Sequence, residues 1–399
     1  MSSCGQRRSL VVGMIRNPRK SCWKSPRIDA LFNLPLRVFW PSRKPIAARQ
    51  DSRPMFHSLL PRPFQASLHF MKAIRVEEHG GPEVLKLLDV ASIEAPGPGQ
   101  AVVRVAAAGV NFLDVGQRRG TYPCQVPFTV GVEGAGVVES IGEGVRNIKP
   151  SDRVAFTGIP GAYAEAILAE AERLIPLPDD FSFEQGAAFP LQGMTAHYLI
   201  HEFRRPGPGS VVLIQAAAGG MGGLLVQWAK HLGATVIGTV STQAKARTAR
   251  TSGADDVIIY TEQDFVAETK RITEGRGVDL IIDGVGRTTF KGDLEAAAVR
   301  GNIVIFGAAS GPGDPVSPNA LMPKALTVSG GSLQNYLRTP EELRQRANDV
   351  IAGIRAGWLK LNIGRVLPLD QAAQAHELLE TRKTEGKLVL FVANPPAPA

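Results

Sequence analysis

From residue 211 onward the sequence alternates short β-branched runs with stretches long enough to be helices. This alternation limits the possible fold more than any other feature of the chain. Strand-like VVLIQ (211–215), TVIGTV (235–240), VIIY (257–260), VDLIID (278–283) and NIVIFG (302–307) are separated by helix-like segments over 221–232, 243–252, 262–274 and 288–299. Such a series means βαβ units and a parallel sheet, because a helical crossover returns the chain to the same end of the sheet each time. The segment before it, 71–170, reads differently. Strands at 72–76, 84–90 and 101–110, a short helical turn over 111–120 and Gly- and Val-rich strand material over 134–155 suggest a β-rich, barrel-like or twisted-sheet domain. A helix is expected over 194–205. After residue 330, two helices (340–356 and 370–381) and a last strand (387–392) fold back on that first domain. The expected class is α/β.

The first strand of the alternating section runs into QAAAGGMGG and then a helix. Within it, Ala217, Gly219 and Gly222 hold the spacing of the dinucleotide fingerprint, with Ala in the first Gly slot. Gly219 has no side chain to block a pyrophosphate, and Gly222 lets helix and strand pack closely. The helix N-terminus then offers unpaired N–H groups to the phosphates. The strand before and the helix after are the context such a motif needs. About twenty residues on, NAD sites place an Asp or Glu for the ribose 2′-hydroxyl. Here GTVSTQAKAR (238–247) contains no acid and offers Ser241, Thr242, Lys245 and Arg247. A carboxylate repels a 2′-phosphate, whereas a hydroxyl and a Lys bind it, so the expected cofactor is NADPH. Tyr260, ending the third strand, is placed to cover the adenosine side.

The net charge of +8 looks like a nucleic-acid signature until it is divided. Residues 1–70 carry thirteen Lys+Arg against Asp29 and Asp51, so the remainder is mildly acidic. A body without a basic excess argues against nucleic acid as a partner, since phosphate neutralisation needs a basic face. The Arg-rich, acid-poor start reads as a basic tail without packed structure, either a start-site extension or a targeting segment. The expected location is cytoplasmic, or mitochondrial if the tail is a transit segment. Three Cys exclude a disulfide scaffold and a four-Cys zinc site, and no apolar run approaches the ~18 residues of a membrane span.

The Gly loop occurs with Gln227 and Lys230 in GGMGGLLVQWAK (219–230). With it come GGPEVL (80–85), GVNFLD (109–114), DGVG (283–286), FG (306–307), SLQNY (332–336) and Glu-Gly-Lys (385–387). From Met71 to about Val392 the chain resembles the zinc-free quinone oxidoreductase (zeta-crystallin) family of the medium-chain dehydrogenase/reductase superfamily. The resemblance implies a GroES-like β-rich catalytic domain from 71–194 and 331–399. A Rossmann doubly wound parallel sheet is inserted between them at 195–330. It also implies a homodimer paired through Rossmann edge strands. Position by position, Asn111 matches the Asn that faces nicotinamide and substrate, and Tyr122 an active-site Tyr. Thr195 matches a Thr at the nicotinamide end. Gly219, Gly220, Met221 and Gly222 match the pyrophosphate loop, and Lys245 and Tyr260 the adenosine-phosphate site. Phe306 and Gly307 match the loop over the nicotinamide ribose, and Arg382 an Arg associated with the cofactor phosphate. One position departs: bacterial relatives have a Tyr where this chain has Gly116, which implies a more open substrate pocket.

Zinc enzymes of the same superfamily place a Cys where Asn111 stands and a Gly-His-Glu where Gly131-Val132-Glu133 stands. Asn and Val cannot replace those ligands, so no metal is expected. Cys124 reads as a loop thiol, since no base motif accompanies it. Without a Lewis acid, the acceptor must take a hydride with modest help, as quinones and α,β-unsaturated carbonyls do. The expected activity is NADPH-dependent quinone reduction. Asn111 would donate to the developing oxyanion with help from the Tyr122 phenol, and Asp114 would be structural. An enone, alkenal or enoyl-thioester reductase is the close alternative. An NADPH-binding structural or RNA-binding protein is the alternative of another class.

Overall fold

The parallel sheet is built as the alternation requires. It contains β9 (Val211–Ile214), β10 (Thr235–Val240), β11 (Asp256–Ile259), β12 (Val278–Asp283), β13 (Ala297–Ile305) and β14 (Thr327–Gly330). Between them run α4 (Gly220–His231), α5 (Gln243–Thr251), α6 (Phe265–Ile272) and α7 (Phe290–Ala296). The strand order is β11-β10-β9-β12-β13-β14, every pair parallel. Chain direction across the sheet reverses between β9 and β12, so the loops at their C-terminal ends open a crevice there. Val212, Leu213, Ile214, Leu280, Ile281 and Ile282 are fully buried, as strands covered on both faces must be. This is the Rossmann arrangement expected from the sequence.

The computed structural model describes residues 69–381 and 384–394, which lie within one unit of the chain, 65–399. The expectation for the basic tail falls, up to residue 68, outside the described residues.

The β-rich part comprises β1 (Phe70–Val76), β2 (Lys86–Ala91), β3 (Gln100–Val110), β4 (Phe128–Thr129), β5 (Glu133–Ile141), β6 (Arg153–Thr157), β7 (Ala166–Glu170) and β8 (Ile175–Pro176). It also holds α1 (Phe112–Arg119), α2 (Phe183–Ala188) and α3 (Pro190–His201). The end of the chain adds α8 (Pro340–Arg355), β15 (Ile363–Pro368), α9 (Ala372–Glu380) and β16 (Lys387–Phe391). The large sheet runs β15-β16-β3-β5-β6-β8, with β7 also on β3. The last strand lies inside it: Leu388 pairs with Val110 and Phe391 with Ala107. Ala101, Val103 and Val105 of β3 form one core with Val154, Phe156 and Tyr163, closed by Ala372 and Ala375 of α9. The large sheet is therefore made from both the early and the late strands of the described residues.

Three element boundaries differ from expectation. β1 begins at Phe70, which pairs with Ala91, one residue ahead of Met71. The helix expected over 288–299 stops at Ala296. Ala297 already pairs with Val278, because sheet burial outweighs the helix propensity of the Ala run. The helix expected from 194 starts at Pro190, whose fixed φ suits a first helical position. Strands β7, β14 and β15 and helix α2 were not foreseen. α2 carries a readable signal, since Ser182 and Gln185 form a reciprocal capping box.

Candidate functional site

A cleft of about 530 Å³ opens over the C-terminal ends of β9, β10 and β12. Its floor is the Gly loop. Ala216 takes a positive φ of 55° and its carbonyl accepts from Gly219 N–H at 3.0 Å. Gly219 is the N-cap of α4 and carries no capping side chain, so the free N–H groups of the first turn remain for a ligand. Gly222 has the role the spacing predicts: a Cβ there would run into the Ala216 carbonyl and the Ala217 backbone. Ala217, in the first Gly slot, is fully buried. Its methyl fits because Gly238 faces it; a Cβ on Gly238 would come within 2.6 Å of the Ala217 Cβ.

Gly219, Ser241, Lys245 and Tyr260 line this cleft together. No carboxylate stands at the end of β10, and Thr242 is the N-cap of α5, accepting from Lys245 N–H at 3.2 Å. Asp264, also on the wall, is occupied as the N-cap of α6, accepting from Val266 and Ala267 N–H. Gly220 and Met221 form the first turn of α4, beside Gln192 of α3. Phe306 and Gly307 pack on Gly284, just behind Ala309, which does line the cleft. Thr195 is buried within α3 and does not reach the cleft wall. Arg382 lies outside the described residues.

The wall also holds residues not foreseen. Phe112 follows Asn111 directly, is half exposed, and faces the cleft from the first turn of α1. Thr288 and Thr289 come from the loop after β12, and Leu379 and Thr384 from the C-terminal part. That part touches the Gly loop directly, through a parallel bridge between Gly219 and Gly386. Nothing in a sequence read element by element places residue 386 beside residue 219.

Asn111 sits in a buried polar cluster. Its Nδ2 donates to Glu133 Oε2 at 2.9 Å and to Gly109 O at 3.3 Å. Its Oδ1 accepts from Lys387 Nζ at 2.6 Å. Lys387 also pairs with Glu133 at 2.6 Å, and Glu133 Oε1 accepts from Leu191 N–H at the start of α3. Turning the amide over would set oxygen against carboxylate and NH₂ against ammonium, so its orientation is fixed. Both amide hydrogens are thus engaged within the protein, and Asn111 is only 4% exposed. Lys387 and Glu133 were read as motif positions and not as site residues, because a Lys opening a strand looks the same whether buried or solvated.

Below Asn111 runs a second polar line. Asp114 Oδ2 accepts from Asn111 N–H at 2.8 Å and from the Tyr163 hydroxyl at 3.0 Å. Tyr163 meets His376 Nε2 at 3.3 Å, and His376 Nδ1 lies 3.3 Å from Arg118, which pairs with Glu380 at 2.8 Å. The arginine donor assigns Nδ1 as the acceptor and Nε2–H as the donor to Tyr163. Burial pushes the Asp114 carboxyl up to about 7, against the opposing Asn111 N–H and Lys387 charge. Burial, with Arg118 beside it, pushes His376 down to about 3.

Tyr122 is half exposed and outside the cleft wall. Its ring lies against Gly116, where any Cβ would overlap it. The opening expected from Gly116 is therefore filled by Tyr122, a correction to the more open pocket.

Two family models match the chain: an alcohol dehydrogenase GroES-like domain over residues 97–179 and a zinc-binding dehydrogenase over residues 220–352. Zinc does not fit here. Val132 offers no ligand, and the oxygens of Asn111 and Glu133 already surround the Lys387 ammonium, which a second cation would face. Among curated proteins, a quinone oxidoreductase of Pseudomonas aeruginosa is 41% identical over 323 residues, covering 80% of this chain and 99% of that protein. A 2-haloacrylate reductase of a Burkholderia species is 40% identical over 325 residues, covering 79% and 97%. The Escherichia coli quinone oxidoreductase crystallised with NADPH superposes with a TM-score of 0.78 at 39% identity, over 80% of this chain and 99% of that one. With near-full coverage of these relatives and the Gly loop seated on a parallel sheet, the chain belongs to the quinone oxidoreductase family of the medium-chain dehydrogenase/reductase superfamily.

Proposed function

We propose that this protein is an NADPH-dependent quinone oxidoreductase. The observation that carries the reading is the cleft wall at the end of β10: Ser241 and Lys245 line it and no carboxylate stands there. A ligand 2′-phosphate gains a charge-assisted bond from Lys245, worth ~1.5–3 kcal/mol, which a 2′-hydroxyl does not. The cleft volume is within the range of small-molecule and cofactor sites. Gly219 and the first turn of α4 hold the pyrophosphate, and Tyr260 covers the adenosine side. Bound NADPH supplies a hydride for the acceptor.

The chain's own residues orient and shield. Phe112 closes the cleft beside Asn111 and excludes water. The Lys387–Asn111–Glu133 cluster fixes the start of α1, and with it the direction of Phe112. In this reading Asn111 is a rigid, buried support behind Phe112. Donating to substrate requires it to exchange its weaker bond, the one to Gly109. Tyr122, its ring held against Gly116 of α1, is half exposed.

The proposal includes the division into 71–194 with 331–399 and an inserted 195–330. It also includes a cytoplasmic location and a homodimer. β14 is the outer strand of the Rossmann sheet among the described residues, and Val328 on it is exposed, which supports pairing with a second copy. Among the described residues no helix is long and apolar enough to cross a membrane. A 2-haloacrylate reductase at 40% identity favours a second reading, reduction of an activated alkene in the same cleft.

Nicotinamide absorbance tests the reading directly. A simple quinone is expected to be reduced with NADPH preferred over NADH. Lys245→Ala should weaken NADPH ~10–100-fold and leave NADH nearly unchanged. Turnover of an alkenal with none of a quinone moves the assignment to the second reading. Equal use of NADH and NADPH overturns the Lys245 argument.

A further inference from the structure

Beneath the cleft lie two buried carboxyl groups that the reduction does not use. Asp283 ends β12 and Asp293 lies in α7, and both are fully buried. Asp283 collects donors: Val285 N–H at 2.6 Å, Gly286 N–H at 3.2 Å and the Thr289 hydroxyl at 2.8 Å. Asp293 has one, Gln215 Nε2 at 2.7 Å on its Oδ1. Its Oδ2 has no donor. The two carboxyl groups are neighbours across Thr289, whose hydroxyl donates to Asp283 and whose carbonyl accepts from Asp293 N–H at 2.9 Å. Among the described residues no ion pair reaches either acid. Lys324 faces α7 from a packed segment, its ammonium bonding the carbonyls of Leu294, Glu295 and Ala297, and Lys270 of α6 lies near enough to act on it. α6 meets α7 through Phe265 and Val266, near Gly292.

Two buried carboxylates side by side cannot both be ionised. Asp283 already has three donors, and the orphaned oxygen of Asp293 is where a proton belongs. We propose that Asp293 holds this proton and donates it to Asp283, and that the bond so formed joins the two loops flanking the cofactor cleft. Burial and the Asp283 charge both hold the Asp293 carboxyl well above the usual range, in accord with that geometry.

The rest of the connection runs through hydrogen bonds. Gln215 Oε1 accepts from the Thr239 hydroxyl at 2.5 Å, and its Nε2 donates to Asp293. Thr239 Oγ1 in turn accepts from Ala216 N–H at 3.3 Å, the residue that opens the Gly loop. The line therefore runs from the Gly loop through Thr239, Gln215 and Asp293 to Asp283, and on to the loop carrying Val285 and Thr289. Gln215, Ala216, Thr239, Val285 and Thr289 all line the cleft. In this orientation every bond in the line has its donor, and the shared proton supplies the one the last bond needs. Asp293 is a positioning residue: it touches no ligand but sets where two ligand-facing loops stand.

The functional half of this inference rests on reading the cleft as the NADPH site, whereas the shared proton does not. Infrared difference spectra of the cofactor-free protein, wild type minus Asp293→Asn at neutral pH, should show a protonated-carboxyl stretch. The band should persist when Asp114→Asn is the background. NADPH binding is then titrated against pH. Wild-type affinity should fall as alkaline pH removes the proton. Asp293→Asn should hold its neutral-pH affinity into that range, because its NH₂ donates to Asp283 permanently. Asp293→Ala should bind about tenfold more weakly. If the asparagine variant does not fold, carboxyl-¹³C-labelled Asp in the wild type reads the same proton. Absence of a buried protonated carboxyl, or the same alkaline loss in Asp293→Asn, overturns the proposal. A carboxyl band with no NADPH binding at neutral pH overturns the cofactor reading and leaves the shared proton established.

Discussion

At Asp114 a single carboxyl has its charge decided by its surroundings. It is fully buried, Oδ2 accepts from Asn111 N–H and Tyr163, and Oδ1 has no partner. Desolvation wins over these bonds and over Lys387, raising the group from 3.8 to about 7. The native state therefore binds a proton that the unfolded chain releases above pH ~4. That contribution to stability is complete below pH ~4 and is lost as pH rises through about 7. His376 works the other way: its folded value is depressed, so its contribution is present above 6.5 and lost as pH falls toward about 3. The two slopes oppose each other between pH ~4 and ~6.5. Asp114→Asn removes one of them and keeps an acceptor for Asn111 and Tyr163. The stability of wild type minus that of Asp114→Asn, from urea unfolding, should fall by ~1.4 kcal/mol per pH unit between pH ~4 and ~7. A difference that does not change with pH means Asp114 is ionised throughout. The sequence made Asn111 legible through the residues around it, but not its engagement. Glu133 and Lys387, which fix its amide, are 254 positions apart and meet only in the folded chain.

The start of α4 makes a sharper case among the elements. Gly222 and Gly223 are neighbours with opposite surroundings. A Cβ on Gly222 meets loop backbone, which cannot move aside as a side chain can. A Cβ on Gly223 meets only Ser252 Oγ, at 3.5 Å. Gly222→Ala should cost ~1–3 kcal/mol in thermal unfolding and weaken NADPH binding by displacing the Gly loop. Gly223→Ala should be neutral or stabilise by up to ~1 kcal/mol, since Ala is the better helix former. Equal effects would mean the loop does not pack as described. Period and β-branching made β9 to β12 legible nearly to the residue, because each has a short β-branched core. They failed at the α7–β13 junction, where an Ala run satisfies helix and strand alike and pairing of Ala297 with Val278 decides. β14 and β15 were missed because neither is an apolar run. Each is largely exposed and gains its strand character from the neighbour it pairs with.

On the scale of the whole molecule, β14 leaves one side of a six-stranded parallel sheet without a partner among the described residues. Thr327 and Val328 are exposed on it, an edge that a second copy would cover. Light scattering should give twice the chain mass for the wild type, and Val328→Lys should shift the population toward single chains. A wild type of single-chain mass removes the dimer from the proposal. The division into a β-rich part and a parallel part was legible from the change of pattern near residue 211. That the final strand would lie inside the first sheet was legible only through the family resemblance, since no local signal links residues 107–110 to 388–391.

That pairing has a consequence for how the protein is made. β3 leaves the ribosome long before its partner β16, so one flank of the catalytic sheet stays open while everything between them is made. The Rossmann sheet lies wholly between them in the chain and can close while that flank waits. Lys387 arrives with β16, so Asn111 and Glu133 have no cation between them until that strand is made. The nascent chain thus carries an exposed strand edge and an incomplete buried cluster until β16 emerges, and one strand closes both.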